Sequence, residues 1–132
     1  MQLTKRTISG TLNMKKTKTF KRISARFYKN KAGNEPVRDW LLGLNKEDRV
    51  SIGTDIQTTE YGWPIGMPTC RSMKDGLHEV RTDLSSKRIS RVLFFVDLNK
   101  MILLHGFIKK TQKTPKKDLD LAKTRKKEVE ND

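Results

Sequence analysis

The sequence has few of the residues that several common classes of protein require. Cys70 is the single cysteine among 132 residues, which excludes an intrachain disulfide and a cysteine-based zinc site and favours a reducing, cytoplasmic location. No apolar run approaches the roughly 20 residues that span a bilayer, so we expect no membrane partner. The two histidines, His78 and His105, lack the spacing of a metal-binding pair, and no phosphate-loop or dinucleotide glycine motif is present. We therefore expect no metal and no cofactor.

Acidic residues are scarce at both ends of the chain. The sequence holds 29 Lys and Arg against 15 Asp and Glu, a formal net charge of +14. Residues 1–34 contain ten basic side chains and no acidic one, and residues 109–127 contain nine basic against two acidic. Such an excess predicts an anionic partner, either a nucleic acid or an acidic protein.

The length predicts one domain, which we place at residues 20–130. Residues 1–19 show neither helical nor strand periodicity and lack the apolar centre of a signal peptide. We interpret them as a mobile basic arm. Two alternatives, a solvated tail without a partner and a natural start at Met14, together explain these residues better than a dedicated binding arm does.

Two helices joined by a short turn are predicted after a strand over residues 19–28. The first helix has one apolar stripe at the helical interval, made of Val37, Trp40, Leu41 and Leu44. We expect Asn34 to cap this helix and Asn45 to cap the next one. The second helix should end at Gly62, so that the pair forms a helical hairpin.

Three strands are predicted after a loop over residues 63–76. They cover residues 77–83, 88–97 and 101–109, and the short gaps between them favour an antiparallel meander. Thr114 is expected to cap a last helix. The order β, α, α, β, β, β, α predicts an α+β domain, in which a small antiparallel sheet carries the helical hairpin on one face and ends in a C-terminal helix.

Strand alternation predicts a polar set of side chains on the sheet face opposite the hairpin. The set consists of Glu79, Arg81, Arg91, His105 and Lys109. Cations beside an aromatic residue suit a bound polyanion. Cations also stabilise a pentavalent phosphate, and His, Glu or Lys can transfer the protons of RNA cleavage without a metal. The spacing alone does not separate a binding face from a catalytic one.

The same residues also have structural interpretations. Glu79 and Arg81, two positions apart on one strand, commonly form an ion pair. His105, among apolar residues, fits a hydrogen-bonded core histidine, and His78, beside a glycine, fits the surface. The lysine-rich run after Lys109 fits a solvated patch.

Three stretches resemble the RelE/ParE toxin superfamily, and most closely its phage-derived, HigB-like branch. They read KDGLHEVRTD, RISRVLFFVD and ILLHGFIKKTQKTPKKDLDLAKTRKKE. The resemblance covers about residues 20–130 and implies a RelE-like fold. It also implies a toxin of a type II toxin–antitoxin pair that cleaves mRNA in the ribosomal A site without metal. The implied partners are the ribosome, mRNA and an antitoxin with a helix-turn-helix domain.

The resemblance further implies roles for individual residues. Arg81 and Arg91 match the phosphate-binding arginines of the sheet, and Glu79 matches an acidic position to which we assign a structural role. No tyrosine follows Tyr61, so Lys109 or His105 would have to transfer protons. The resemblance assigns cationic roles to Lys74 and Lys110, and we further expect Lys113, Lys116 and Lys117 to bind RNA.

Two other functions stay open on the sequence alone. A ParE-like inhibitor of DNA gyrase shares the fold but needs no phosphate site on the sheet. A non-catalytic nucleic-acid-binding relative would also fit, because a fold does not fix a function. The richness of cations on the meander favours an endoribonuclease.

Overall fold

The computed structural model describes residues 20–132. The basic arm predicted at residues 1–19 lies outside the described residues. The elements in chain order are strand β1 (Ser24–Phe27), helices α1 (Pro36–Leu42) and α2 (Lys46–Gly62), strands β2 (Cys70–Ser72), β3 (His78–Asp83), β4 (Ile89–Asp97) and β5 (Lys100–Lys109), and helix α3 (Lys116–Glu130). Among the described residues, no helix combines the length and the apolar composition needed to cross a bilayer.

A five-stranded mixed sheet with the order β1-β5-β4-β3-β2 forms the centre of the domain. The pairs β3–β4 and β4–β5 form the predicted antiparallel meander, β2 adds an antiparallel pair with β3, and β1 pairs with β5 in parallel. The α+β class is confirmed. Two features were not predicted, namely the parallel pair and strand β2 inside the expected loop over residues 63–76. Strand β2 has only three residues, too few for alternation to reveal it.

The helical hairpin follows the predicted boundaries with one difference. Asn45 caps α2, and its side chain accepts a hydrogen bond from the Asp48 N–H at 2.8 Å. The predicted cap of α1 is wrong, because Glu35 holds the N-cap position. Asn34 belongs instead to the preceding turn, where its N–H donates to the Asn30 side chain at 2.9 Å.

The hairpin and α3 cover opposite faces of the sheet, and each face has its own apolar core. The hairpin-face core contains Ile23, Val37, Ile52, Ile56, Cys70, Val80, Val92, Phe94, Met101 and Leu103. The α3-face core contains Tyr28, Leu77, Leu93, Phe95, Ile102, Leu104, Phe107 and Ala122. The pairing of β4 with β5 shifts by one residue after Leu93, so both Leu104 and His105 turn towards α3.

Helix α1 is fixed on the sheet by Trp40. Its ring lies on Gly106 of β5, where an added Cβ would be 2.3 Å from Trp40 Cζ3. Only a glycine therefore leaves room for this ring.

Candidate nucleic-acid interface

The polar set predicted from strand alternation lies on the α3 face of the sheet. Arg81 and Arg91 are direct cross-strand partners, and Arg91 is in turn paired with Phe107. The expectation that helices cover only the other face is wrong, however. Helix α3 and residues 110–115, which we call the connecting segment, lie over this face and contact its charged residues.

Arg91 is buried beneath the connecting segment, with 0% of its surface exposed. Its Nη2 donates to the backbone carbonyls of Thr111 at 2.7 Å and Gln112 at 2.8 Å. Burial lowers the pKa of Arg91, and the neighbouring Glu79 carboxylate opposes that shift. The expected open position of this guanidinium is therefore wrong. Arg91 holds the connecting segment on the sheet, and a phosphate can reach it only if that segment moves away.

Glu79 is buried beside Arg91, and its carboxylate oxygen lies 3.6 Å from Arg91 Nε. It also accepts a hydrogen bond from the Thr114 hydroxyl. Thr114 is not the helix cap that the sequence predicted, because Pro115 holds that position in α3. The threonine hydroxyl instead joins the connecting segment to the buried ion pair.

Arg81 is the predicted sheet arginine that reaches solvent, with 26% of its side chain exposed. Its Nη2 donates to Gln112 Oε1 at 3.2 Å, and its Nε lies 4.0 Å from the Asp83 carboxylate. The alternative of a Glu79–Arg81 ion pair is wrong, because the glutamate pairs across strands with Arg91. Arg81 is therefore available to an anion at the edge of the connecting segment.

Asp118, in the first turn of α3, joins two of the predicted catalytic residues. One of its carboxylate oxygens lies 2.7 Å from His105 Nε2, and the other lies 3.5 Å from Lys109 Nζ. Phe107 lies against both residues, with its ring centre 5.5 Å from that of His105 and 5.6 Å from the Lys109 nitrogen. The side chains of His105 and Lys109 are 17% and 33% exposed. We call these three polar residues the His105 cluster.

Sequence reasoning missed Asp118. Its acidic side chain three residues after Pro115 fits the first turn of the predicted last helix. Nothing in the sequence, however, places that turn beside the end of β5. Only the tertiary arrangement shows that this carboxylate meets His105 and Lys109.

A basic groove with a volume of about 850 Å³ lies between β2 with its following loop and the start of α3. Five cations line it, namely Arg71, Lys74, Lys113, Lys116 and Lys123. Three of these were predicted to bind RNA, whereas Arg71 and Lys123 were missed because β2 and the docking of α3 were not foreseen. The predicted Lys110 and Lys117 are exposed but do not line the groove.

Two of the groove cations have acidic partners at the rim. Lys116 Nζ lies 2.8 Å from Asp120, which raises the pKa of Lys116, and Lys123 Nζ lies 3.1 Å from Asp75. Within the described part of the chain, Arg71, Lys74 and Lys113 form no ion pair. The groove therefore has unneutralised positive charge to offer an anion.

His78 lies apart from this interface, on the hairpin face. Its ring is 4.9 Å from that of Trp63 and 5.4 Å from that of Phe94, and burial lowers the pKa of His78. His78 is partly buried there, so the expected surface position holds only in part. Trp63 is itself partly buried and packs against the hairpin-face core.

A basic α+β domain, with a helical hairpin on one face of its sheet and a cationic cluster on the other, has the features of a RelE/ParE-like toxin. The chain belongs to the family described as Phage derived protein Gp49-like (DUF891), whose model matches residues 39–127. This family is toxin-like and falls within the RelE/ParE-like superfamily, which confirms the superfamily predicted from the sequence and implies an antitoxin partner. A search of curated proteins finds no match.

Proposed function

We propose that this protein is a HigB-like toxin of a type II toxin–antitoxin system and cleaves mRNA on the ribosome. One observation carries the proposal. The connecting segment, only six residues long, adjoins the basic groove, the partly exposed Arg81 and the His105 cluster. Cations suited to a phosphate and candidate proton-transfer groups thus border the same segment, which supports the proposal.

The basic groove would hold the RNA backbone. Its cations match the repeated negative charge of phosphodiesters, and Lys110 and Lys117 extend the positive surface along the same end of the chain. Binding should weaken steeply with salt, because neutralised phosphates release their counterions.

The cleavage step needs three contributions at one phosphodiester. A base removes the proton of the 2′-hydroxyl, and the 2′-oxygen then forms a bond to phosphorus. The bond from phosphorus to the 5′-oxygen breaks, and an acid protonates that oxygen, so the products are a cyclic phosphate and a 5′-hydroxyl. We assign the base to His105, the acid to Lys109 and the stabilisation of phosphate charge to Arg81. In this scheme Arg91 acts indirectly, by holding the connecting segment.

Inducible expression of the full chain tests the proposal. The wild-type protein should arrest growth and generate new transcript 5′ ends, whereas Arg81→Ala and His105→Ala should do neither. Lys46→Ala, which changes an exposed lysine at the start of α2, is the matched control and should act like the wild type.

Two results would contradict the proposal. Growth arrest with intact transcripts and damaged DNA would favour gyrase inhibition. Normal growth despite accumulation of the wild-type protein would favour a non-catalytic relative. Mapping of transcript ends beside a DNA-damage reporter distinguishes the two.

A further inference from the structure

The geometry points to Asp118 as a positioning residue, which fixes the ring tautomer of His105 and holds the Lys109 ammonium beside it. The catalytic part of this inference rests on the proposed function. The part that concerns the tautomer does not depend on it, so the two can fail separately.

The two oxygens of Asp118 each face a different donor. His105 Nε2 lies 2.7 Å from Oδ1, and Lys109 Nζ lies 3.5 Å from Oδ2. The carboxylate is largely buried and belongs to the first turn of α3, where the positive end of the helix dipole stabilises an anion. An ionised carboxylate at this place can only accept hydrogen bonds, so both neighbours must donate to it.

The tautomer of His105 follows from that constraint. When the ring is neutral, a proton on Nε2 leaves the lone pair on Nδ1. Within the described residues, Nε2 is the ring nitrogen that is hydrogen-bonded. Phe107 stacks on the ring at an interplanar angle of 27°, which limits its rotation. Nδ1 is thus the atom left to take a proton from a substrate.

Helix α3 does not depend on Asp118 alone for its attachment to the sheet. Leu119, Ala122 and Val129 pack α3 into the apolar core of this face. Arg125 adds a hydrogen bond to the Leu104 carbonyl at 2.8 Å. The helix therefore has other anchors, and the carboxylate is free to act on the two residues that it touches.

The ¹⁵N shifts of the histidine rings test the inference in the full-length protein. The chain has only two histidines, so their signals are readily assigned. In the wild type at a pH where the ring is neutral, His105 should show the Nε2–H tautomer. Asp118→Asn should yield a mixture of both tautomers, because an amide can donate as well as accept. Glu130→Gln, an exposed carboxylate near the end of the same helix whose partner Lys126 lies outside the basic groove, is the matched control and should change nothing.

Cleavage of mRNA by ribosomes with the purified variants supplies the second measurement. Asp118→Asn should slow it by about 10²-fold, the low end of what a positioned acid–base group contributes. Glu130→Gln should cleave at the wild-type rate. The His78 signals report folding in the same spectra, and Asp118→Ser takes the place of the asparagine variant if that variant does not fold.

The outcomes separate the two claims. A single Nε2–H tautomer in Asp118→Asn, or a changed tautomer with full cleavage, overturns the positioning role. A wild-type protein that never cleaves RNA overturns the proposed function, while the tautomer comparison still decides whether Asp118 orients His105.

Discussion

The two faces of the sheet differ although the same strands build both. Val80, Val92 and Phe94 turn towards the hairpin and join its apolar core. Their neighbours Glu79 and Arg91 turn towards α3 and form a buried ion pair. Alternation along a strand thus places apolar side chains on one face and a buried charged pair, beside a second apolar core, on the other. The α3 face therefore also contributes to stability through its charges, because each buried charge is compensated by the other.

The buried ion pair offers the most severe test of that conclusion. Glu79→Gln removes the partner of a fully buried guanidinium, and we expect the free energy of unfolding to fall by about 3–5 kcal/mol. Equilibrium unfolding in urea measures the change. Thr114→Val, which deletes only the hydroxyl that donates to Glu79, should cost about 1 kcal/mol.

A double substitution tests whether the loss comes from an uncompensated buried charge. Replacing both residues by apolar ones, as in Glu79→Leu with Arg91→Met, should recover much of the loss, because no uncompensated charge remains. If the single glutamine substitution costs less than the threonine substitution, the ion pair does not stabilise this face. In that case the buried charges of the α3 face would not contribute to stability as the apolar core of the hairpin face does.

Gly106 tests the apolar face in the same way. Gly106→Ala would place a Cβ 2.3 Å from Trp40, and the displaced ring should cost about 1–3 kcal/mol of stability. Gly53→Ala in α2 is the matched control, since an added Cβ there meets nothing within 4 Å. That variant should be more stable than the wild type by up to about 1 kcal/mol, because alanine favours a helix. Thermal unfolding measures the change in stability of both variants, and changes of the same sign would refute the packing argument.

The sequence predicted which side chains share a face of the sheet better than it predicted which elements cover each face. Periodicity and alternation are local properties, so the hairpin, the meander and the grouping of Arg81, Arg91, His105 and Lys109 all followed from them. The position of the connecting segment and α3 over the sheet depends instead on tertiary packing. For that reason the burial of Arg91 and the contact of Asp118 with His105 were not foreseen.

Short or irregular pieces of chain were also beyond sequence reasoning. Strand β2 has three residues, and its Arg71 joins the basic groove only because the strand pairs with β3. Thr114, which was predicted to cap the last helix, instead donates its hydroxyl to Glu79 on the sheet. A side chain with two possible partners is assigned by the fold as a whole, and a sequence pattern does not decide between them.

The smallest expected effect concerns His78, a partly buried titratable group on the hairpin face. Its pKa is lowered by burial, so below its ordinary value of 6.5 the unfolded chain binds more protons than the folded one. Stability should therefore decline as the pH falls from 6.5 through the lower pKa of the folded state. His78→Phe keeps an aromatic ring against Trp63 and Phe94 but cannot titrate, so it should flatten this part of the pH profile. Urea unfolding of wild type and variant at a series of pH values measures the difference. An unchanged slope would mean that His78 accepts its proton in the folded state as easily as in the unfolded one, and the apolar face would then be less sealed than its packing indicates.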